Sequence, residues 1–418
     1  MTPLARSRDP VPIPVRSVRR HATCHCSLMQ RVNLFLRSVL KPYMSSRRRD
    51  FLKSLGALAA LSGCAATRSE TLPQAAAPPQ PASSYSPPKR ILILGGTGFI
   101  GPAMVSVARA RGHTVTLFNR GKTSPRLFSG VERIIGDRST DLARLRNREW
   151  DAVIDTWTRY PSAVGAATEL LRDHVGQYLF ISTVSVYKFG REPIDEDSAL
   201  LPILETPPEN MELQNYGQLK ILCEQLAQKN FSGRATIVRP GVIAGPGDPT
   251  DRFTYWPERL ARGGRVLVPE APGYRMQFID VFDLGAWIIN AIEGRHVGIY
   301  NAVGPEDPSL HSVIEACKTG VASDAQLEWV DNKWLEQNQV GGWEAFPLAV
   351  PADAENSGFA HVSAARAIEK GLRFRPVSAT AQDTLDWWNA QSDERHKRKR
   401  PGLTPEHEAE LLRCWKRR

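Results

Sequence analysis

The stretch RILILGGTGFIG, Arg90 to Gly101, constrains the fold of this chain more than any other. Ile91, Leu92, Ile93 and Leu94 form the apolar run of a short buried strand. The run passes directly into Gly95, Gly98 and Gly101 and then into the helical stretch PAMVSVARARG. Strand, glycine turn and helix in this order open a dinucleotide-binding fold. The glycines permit a tight turn and let backbone N–H groups approach a pyrophosphate at the helix N-terminus. Gly95, Gly98, Phe99, Ile100 and Gly101 are therefore expected at a cofactor.

Further strand candidates follow at regular intervals: TVTLFN, VERIIG, DAVIDTW, QYLFIS and ATIVRPG, with helical stretches between several of them. Alternating strands and helices predict an α/β fold, a Rossmann-like doubly wound parallel sheet, with a smaller C-terminal substrate-binding portion. The end of the second strand bears on cofactor preference. An acid there would bind the adenosine ribose 2′-OH. Here the sequence is FNRGKT, with Asn119, Arg120 and Lys122 and no acid. Arg120 and Lys122 suit a 2′-phosphate, so NADP(H) is expected ahead of NAD(H), the alternative being surface charges at a strand end. Asp137, in IIGDRS, follows the third strand where an adenine contact is expected.

FISTVSVY, Phe180 to Tyr187, and YGQLKILCE, Tyr216 to Glu224, carry the chemistry. A tyrosine has an ordinary pKa near 10, which makes it a poor acid or base at neutrality. An ammonium one helical turn away stabilises the phenolate, and Lys220 at i+4 shares a helix face with Tyr216. With GGTGFIG, these motifs resemble the extended and atypical short-chain dehydrogenases/reductases, the NAD-dependent epimerase/dehydratase group. The resemblance covers roughly residues 89–389. It implies that Tyr216 and Lys220 are the family's YxxxK pair and Thr183 its Ser/Thr. Thr183 would hydrogen-bond the substrate oxygen while Tyr216 gives or takes its proton, and Lys220 would also hold the nicotinamide ribose. The implied activity is that of an NAD(P)-dependent oxidoreductase or epimerase/dehydratase on a small-molecule substrate, with the cofactor supplying the hydride. The family also has atypical members related to stem-loop RNA-binding proteins of chloroplasts, which leaves a non-catalytic binding module as the rival. The chain departs from the pattern in DTWTRYP, where sugar-nucleotide members have a His-Leu-Ala-Ala run; Trp157 is expected to crowd the nicotinamide side.

The N-terminal region reads as an address. RRDFLK, Arg48 to Lys53, resembles a twin-arginine export motif, and the apolar run Leu55 to Gly63 is too short for a spanning helix. LSGC resembles a lipoprotein box, so a lipid anchor at Cys64 stands beside ordinary cleavage nearby. Met44 opens MSSRRRDFLK, the usual start of such a tag. The resemblance implies the twin-arginine export machinery as a partner and a periplasmic location, with membrane anchoring as a lipoprotein where Cys64 is lipid-modified and a free periplasmic protein where cleavage is ordinary. That route carries folded proteins, so a cofactor bound in the cytoplasm travels with the enzyme. A tightly held cofactor that regains its hydride in each cycle then fits better than a net dehydrogenase.

The division expected is 1–63 extension and signal, 64–88 Pro/Ala-rich linker, 89–240 nucleotide-binding domain, 241–392 substrate-binding portion and 393–418 basic tail. The net charge of +10 belongs to the first of these: residues 1–63 hold 12 basic and 2 acidic side chains, leaving 42 of each sign. No nucleic-acid partner is therefore expected. The run RHKRKRP, Arg395 to Pro401, reads as a solvated linker or, alternatively, as an anionic-lipid or nucleic-acid patch. DRFTYWPERLARGG, Asp251 to Gly264, reads as a packed amphipathic helix or a pocket lining. Asp280 and Asp283 are expected to organise the helix that follows them. Six cysteines show no framework spacing, and no metal site is expected.

Overall fold

A computed structural model describes residues 86–416, apart from 125–126, 158–159, 205–214, 271–272 and 307. The twin-arginine motif and Cys64 lie outside the described residues. Strands β1 (Arg90–Leu94), β2 (Thr114–Asn119), β3 (Glu132–Ile135), β4 (Trp150–Asp155), β5 (Val175–Ile181) and β6 (Ala235–Pro240) form a parallel sheet. They appear where the sequence placed its strand candidates. Two short strands pair with each other, β7 (Ile243–Ala244) and β9 (Ile279–Asp280), and β8 (Arg265–Glu270) pairs with β11 (Gln326–Asp331). A strand from beyond residue 240, β10 (Gly298–Ala302), adds itself beside β6. The resulting seven-stranded order is β10-β6-β5-β4-β1-β2-β3. The reversal between β1 and β4 marks the crevice where ligands bind in such sheets.

Helix α1 (Gly101–Ala110) follows the glycine turn, α2 (Pro161–Leu171) follows β4, and α3 (Tyr216–Asn230) carries the YxxxK pair. Beyond them lie α4 (Tyr255–Ala261), α5 (Val281–Glu293), α6 (Leu310–Gly320), α7 (Val377–Asn389) and α8 (Pro405–Trp415). The alternation of β1 explains the layers. Ile91 and Ile93 pack with Met104 and Val105 of α1 and Leu284 of α5, whereas Leu92 and Leu94 pack with Val164 of α2 and Ala227 of α3. Successive side chains of a strand point to opposite faces, so a run buried on both sides reads as continuously apolar.

The C-terminal portion packs against the same core. In α4, Tyr255, Trp256 and Leu260 are buried, and the Trp256 indole donates to the Pro347 carbonyl at 2.8 Å. This is the packed helix of the two readings given for that stretch. Asp280 caps α5, accepting from the Phe282 and Asp283 amides at 2.7 and 3.4 Å. In the basic run, Lys397, Arg398 and Lys399 are exposed, but Arg395 and Arg400 turn inward. Arg395 grips Asp251 through two contacts of 2.6 Å, and Arg400 binds Glu258 at 2.8 Å while its guanidinium lies 4.7 Å from the Trp388 ring centre. No helix among the described residues is long and apolar enough to cross a membrane.

Candidate active site

The glycine turn is built for close backbone approach. Gly95 has φ 120°, where a side chain is strained, and a Cβ there would sit 2.3 Å from Thr156 Oγ1. A Cβ on Gly101 would lie 2.3 Å from the Gly96 carbonyl carbon. Gly98, by contrast, is exposed with no heavy atom within 4 Å of where its Cβ would be. Ile100 caps α1 without a side-chain hydrogen bond, and no acidic residue occupies the first turn. An uncapped helix N-terminus beside an open glycine fits a dinucleotide's pyrophosphate. Phe99 is half-buried and faces the turn at Gly247, whose Cβ would approach the Phe99 ring to 3.4 Å.

Asn119 clamps this turn. Its Nδ2 donates to the Gly95 carbonyl at 2.9 Å, and its Oδ1 accepts from the Gly121 amide at 2.9 Å. Arg120 and Lys122 stand exposed beyond it at the end of β2. Asp137 lies in their field. Its carboxyl is held below the usual range, first by the Ser139 amide, which donates to it at 2.9 Å, and further by Arg120 and Lys122. The structure thus gathers Arg120, Lys122 and Asp137 at the ends of β2 and β3.

Thr183 leaves β5 in an extended conformation and opens a single helical turn over Val184–Val186. Its Oγ1 accepts from the Ser185 amide at 3.1 Å and its hydroxyl donates to Ser185 Oγ at 3.2 Å. Tyr216 is the first residue of α3 and half-buried. Gly217 lets α3 close against the Thr183 turn: a Cβ there would sit 2.0 Å from the Ser185 carbonyl oxygen. Lys220, one turn on, is 1% exposed. Its Nζ donates to the Ile181 carbonyl at 2.6 Å and the Trp157 carbonyl at 2.7 Å, and lies 4.1 Å from the Phe180 ring centre. Burial pushes its pKa down to about 8, opposed by Cys223, Asp155 and Glu224. The helix thus places Tyr216 and Lys220 on one face beside Thr183.

Two buried networks escaped the sequence reading. Asp155, at the end of β4, is gripped by Arg138 and accepts from Tyr178. The Trp157 indole donates to the Tyr160 carbonyl at 2.9 Å and lies under the Arg138 guanidinium. On the other side Ser182 donates to Glu224, which Arg239 also binds at 2.7 and 3.0 Å. Arg239 continues to Tyr187 at 2.9 Å, and Tyr187 to Asn301 at 2.7 Å. The sequence signal for Glu224 was available: it stands four residues after Lys220 on the same face. Asp155 and Arg138 had none, because strand-end charges are usually solvated. Among the described residues no cluster of three metal-ligating side chains forms.

The chain is similar to several known proteins. The bovine (Bos taurus) "Epimerase family protein SDR39U1" is 29% identical over 242 residues, 53% of this chain and 77% of that protein. The Arabidopsis thaliana "Chloroplast stem-loop binding protein of 41 kDa b" is 26% identical over 284 residues, 63% and 71% of the two chains. The Bordetella bronchiseptica enzyme WbmH, solved in complex with NAD+, superposes with a TM-score of 0.53 at 18% identity, over 72% of this chain and 98% of its own. Residues 91–302, from β1 through β10 and just over half of the sequence, match the family model described as "NAD dependent epimerase/dehydratase family". The chain therefore belongs to the NAD-dependent epimerase/dehydratase family.

Proposed function

We propose that this protein is an NAD(P)-dependent oxidoreductase or epimerase-type enzyme in which Tyr216 moves the proton. The observation that supports this most is the buried Lys220 ammonium, one turn from Tyr216 and beside the turn that holds Thr183. A bound nicotinamide supplies and receives hydride. The chain's residues do the remainder. Gly95, Gly98 and Gly101 admit the pyrophosphate, Lys220 stabilises the Tyr216 phenolate and holds the ribose, and Thr183 fixes the substrate oxygen. A lysine that titrates near 8 keeps most of its charge at neutrality, as this role requires.

The test is single-turnover hydride transfer with Tyr216→Phe. The variant loses one oxygen and little volume, so the fold and cofactor affinity should survive. Turnover should fall about 10²- to 10⁴-fold, the range for losing a positioned acid or base. Wild-type transfer by Tyr216→Phe sinks the catalytic reading and moves a non-catalytic binder ahead.

The cofactor is NADP(H) in preference to NAD(H). Arg120 and Lys122 at the end of β2, in a stretch FNRGKT that itself holds no acid, support this choice. Arg120→Ala should narrow the affinity gap between the two, because a guanidinium–phosphate contact is a strong charge-assisted pair. Equal affinities in the wild type refute the preference. The enzyme acts outside the cytoplasm, exported folded with its cofactor by the twin-arginine route and anchored by lipid at Cys64; RRDFLK and LSGC support this reading.

A further inference from the structure

Asp155 and Arg138 form a buried ion pair that the proton-transfer residues do not use directly. Asp155 is fully buried and Arg138 is 7% exposed. Burial alone would raise the Asp155 pKa, but the Arg138 guanidinium overrides it and holds the carboxyl low, so the pair is ionic. Replacing such a pair by apolar residues of similar volume is often neutral or stabilising. Stability alone is therefore a weak reason for it.

What the pair does is visible at Trp157. Asp155 Oδ1 accepts from the Trp157 amide at 2.9 Å. The Arg138 guanidinium lies 5.0 Å from the Trp157 ring centre, and the indole N–H is tied to the Tyr160 carbonyl at 2.9 Å. Held by its amide and its ring, Trp157 presents its carbonyl to Lys220 at 2.7 Å. Ile181 supplies the second acceptor at 2.6 Å. An ammonium has three donors, and these two carbonyls direct two of them.

We propose that Arg138, Asp155 and Tyr178 are positioning residues for Lys220, acting through the Trp157 backbone and leaving its third N–H to the nicotinamide cofactor. The cofactor part of this assignment rests on the function proposed above. The ionisable groups facing Lys220 are Tyr216, Cys223 and Glu224 on its own helix, Asp155 at the end of β4 and Arg138 after β3. Burial pushes the Cys223 thiol up to about 12, so it is neutral near pH 7, and Glu224 is bound by Arg239. Asp155 and Arg138 remain as the tuning charges, and they act on Lys220 in opposite directions, Asp155 raising its pKa and Arg138 lowering it.

Lysines labelled with ¹³C at Cε allow Lys220 to be titrated directly by NMR, its resonance assigned by its loss in Lys220→Met. NADPH and NADH affinities are followed by fluorescence over the same pH range. The wild-type midpoint is expected at about 8. Asp155→Asn should move it toward acid by about one unit, and Arg138→Met toward alkali by about as much. The double variant Arg138→Met/Asp155→Asn should return toward the wild-type midpoint and yet bind NADPH about 10-fold more weakly, because Trp157 loses the guanidinium over its ring and is left with a weaker anchor at its amide. A purely structural pair would lower stability while leaving the midpoint unmoved in every folded variant, and that result overturns the proposal. Where the single variants do not fold, Tyr178→Phe decides. It keeps both charges and removes one donor from Asp155, so the midpoint should move toward alkali by about 0.5 unit; an unmoved midpoint again overturns the proposal. A wild type that binds neither cofactor refutes the functional reading, while the Lys220 titration still judges the positioning role.

Discussion

A single missing carbon shapes the site. Gly217 stands between Tyr216 and the rest of α3, with the Ser185 carbonyl where its Cβ would be. Gly217→Ala must push the first turn of α3 away from Thr183. Hydride transfer should then fall at least about 100-fold, the scale on which an ångström of misplacement acts. Cofactor affinity should change far less, because Lys220 sits a turn further on. Stopped-flow absorbance and fluorescence titration measure the two separately, and an Ala variant with wild-type transfer would remove the packing argument. The residues proposed for the chemistry could be named from sequence, since Tyr216, Lys220 and Thr183 have side chains whose ionisation or hydroxyl suggests a use. Their supports could not. Asp155 and Arg138 acquire meaning only from partners brought from other strands and helices, and Lys220 leans on backbone carbonyls, which any residue possesses.

Helix α5 begins in an acidic cluster whose carboxyls burial pushes upward in pKa. Asp283 accepts from the Arg375 amide at 2.9 Å, and Arg375 also reaches Asp383 at 2.7 Å and Asp280 at 3.7 Å. Burial, with the neighbouring Asp280 charge, pushes the Asp283 pKa up to about 7. The native state thus binds a proton that the unfolded chain has already lost. The contribution of Asp283 to stability is highest below the ordinary carboxyl pKa and falls as the pH rises toward 7. Asp283→Asn removes that fall, so its Tm should exceed the wild-type value at pH 8 and the difference should vanish near pH 4. A variant that is less stable at pH 8 would contradict this. At this scale the sequence was most legible in the sheet. Strands β1 to β6 are short apolar runs between turn residues, each identifiable from local pattern alone. Strand β10, GIYNA, has no such contrast with its surroundings; only its place beside β6 makes it part of the sheet.

For the whole molecule, charge is divided between an extension and a body. The body is neutral, and two of the cations in its basic run are spent on Asp251 and Glu258. The body thus offers little net attraction to anions, and the proposed location rests on the N-terminal motifs alone. Replacing Arg48 and Arg49 with lysine should retain the protein in the cytoplasm, and Cys64→Ala should shift exported protein from membrane to soluble periplasm. Fractionation reads both, and unchanged distributions would refute the two assignments in turn.

The position of β10 has a consequence in time. A ribosome that has made residue 240 has delivered six of the seven strands, yet β6 still lacks its outer neighbour. Residues 241–297 must be synthesised first, which takes roughly 3–10 s at common elongation rates. Through that interval the nascent chain offers an unpaired strand edge, the kind of surface on which chains aggregate. The nucleotide-binding half therefore completes its sheet late, and a chaperone that shields the β6 edge has its longest opportunity during the synthesis of β7, α4, β8, β9 and α5.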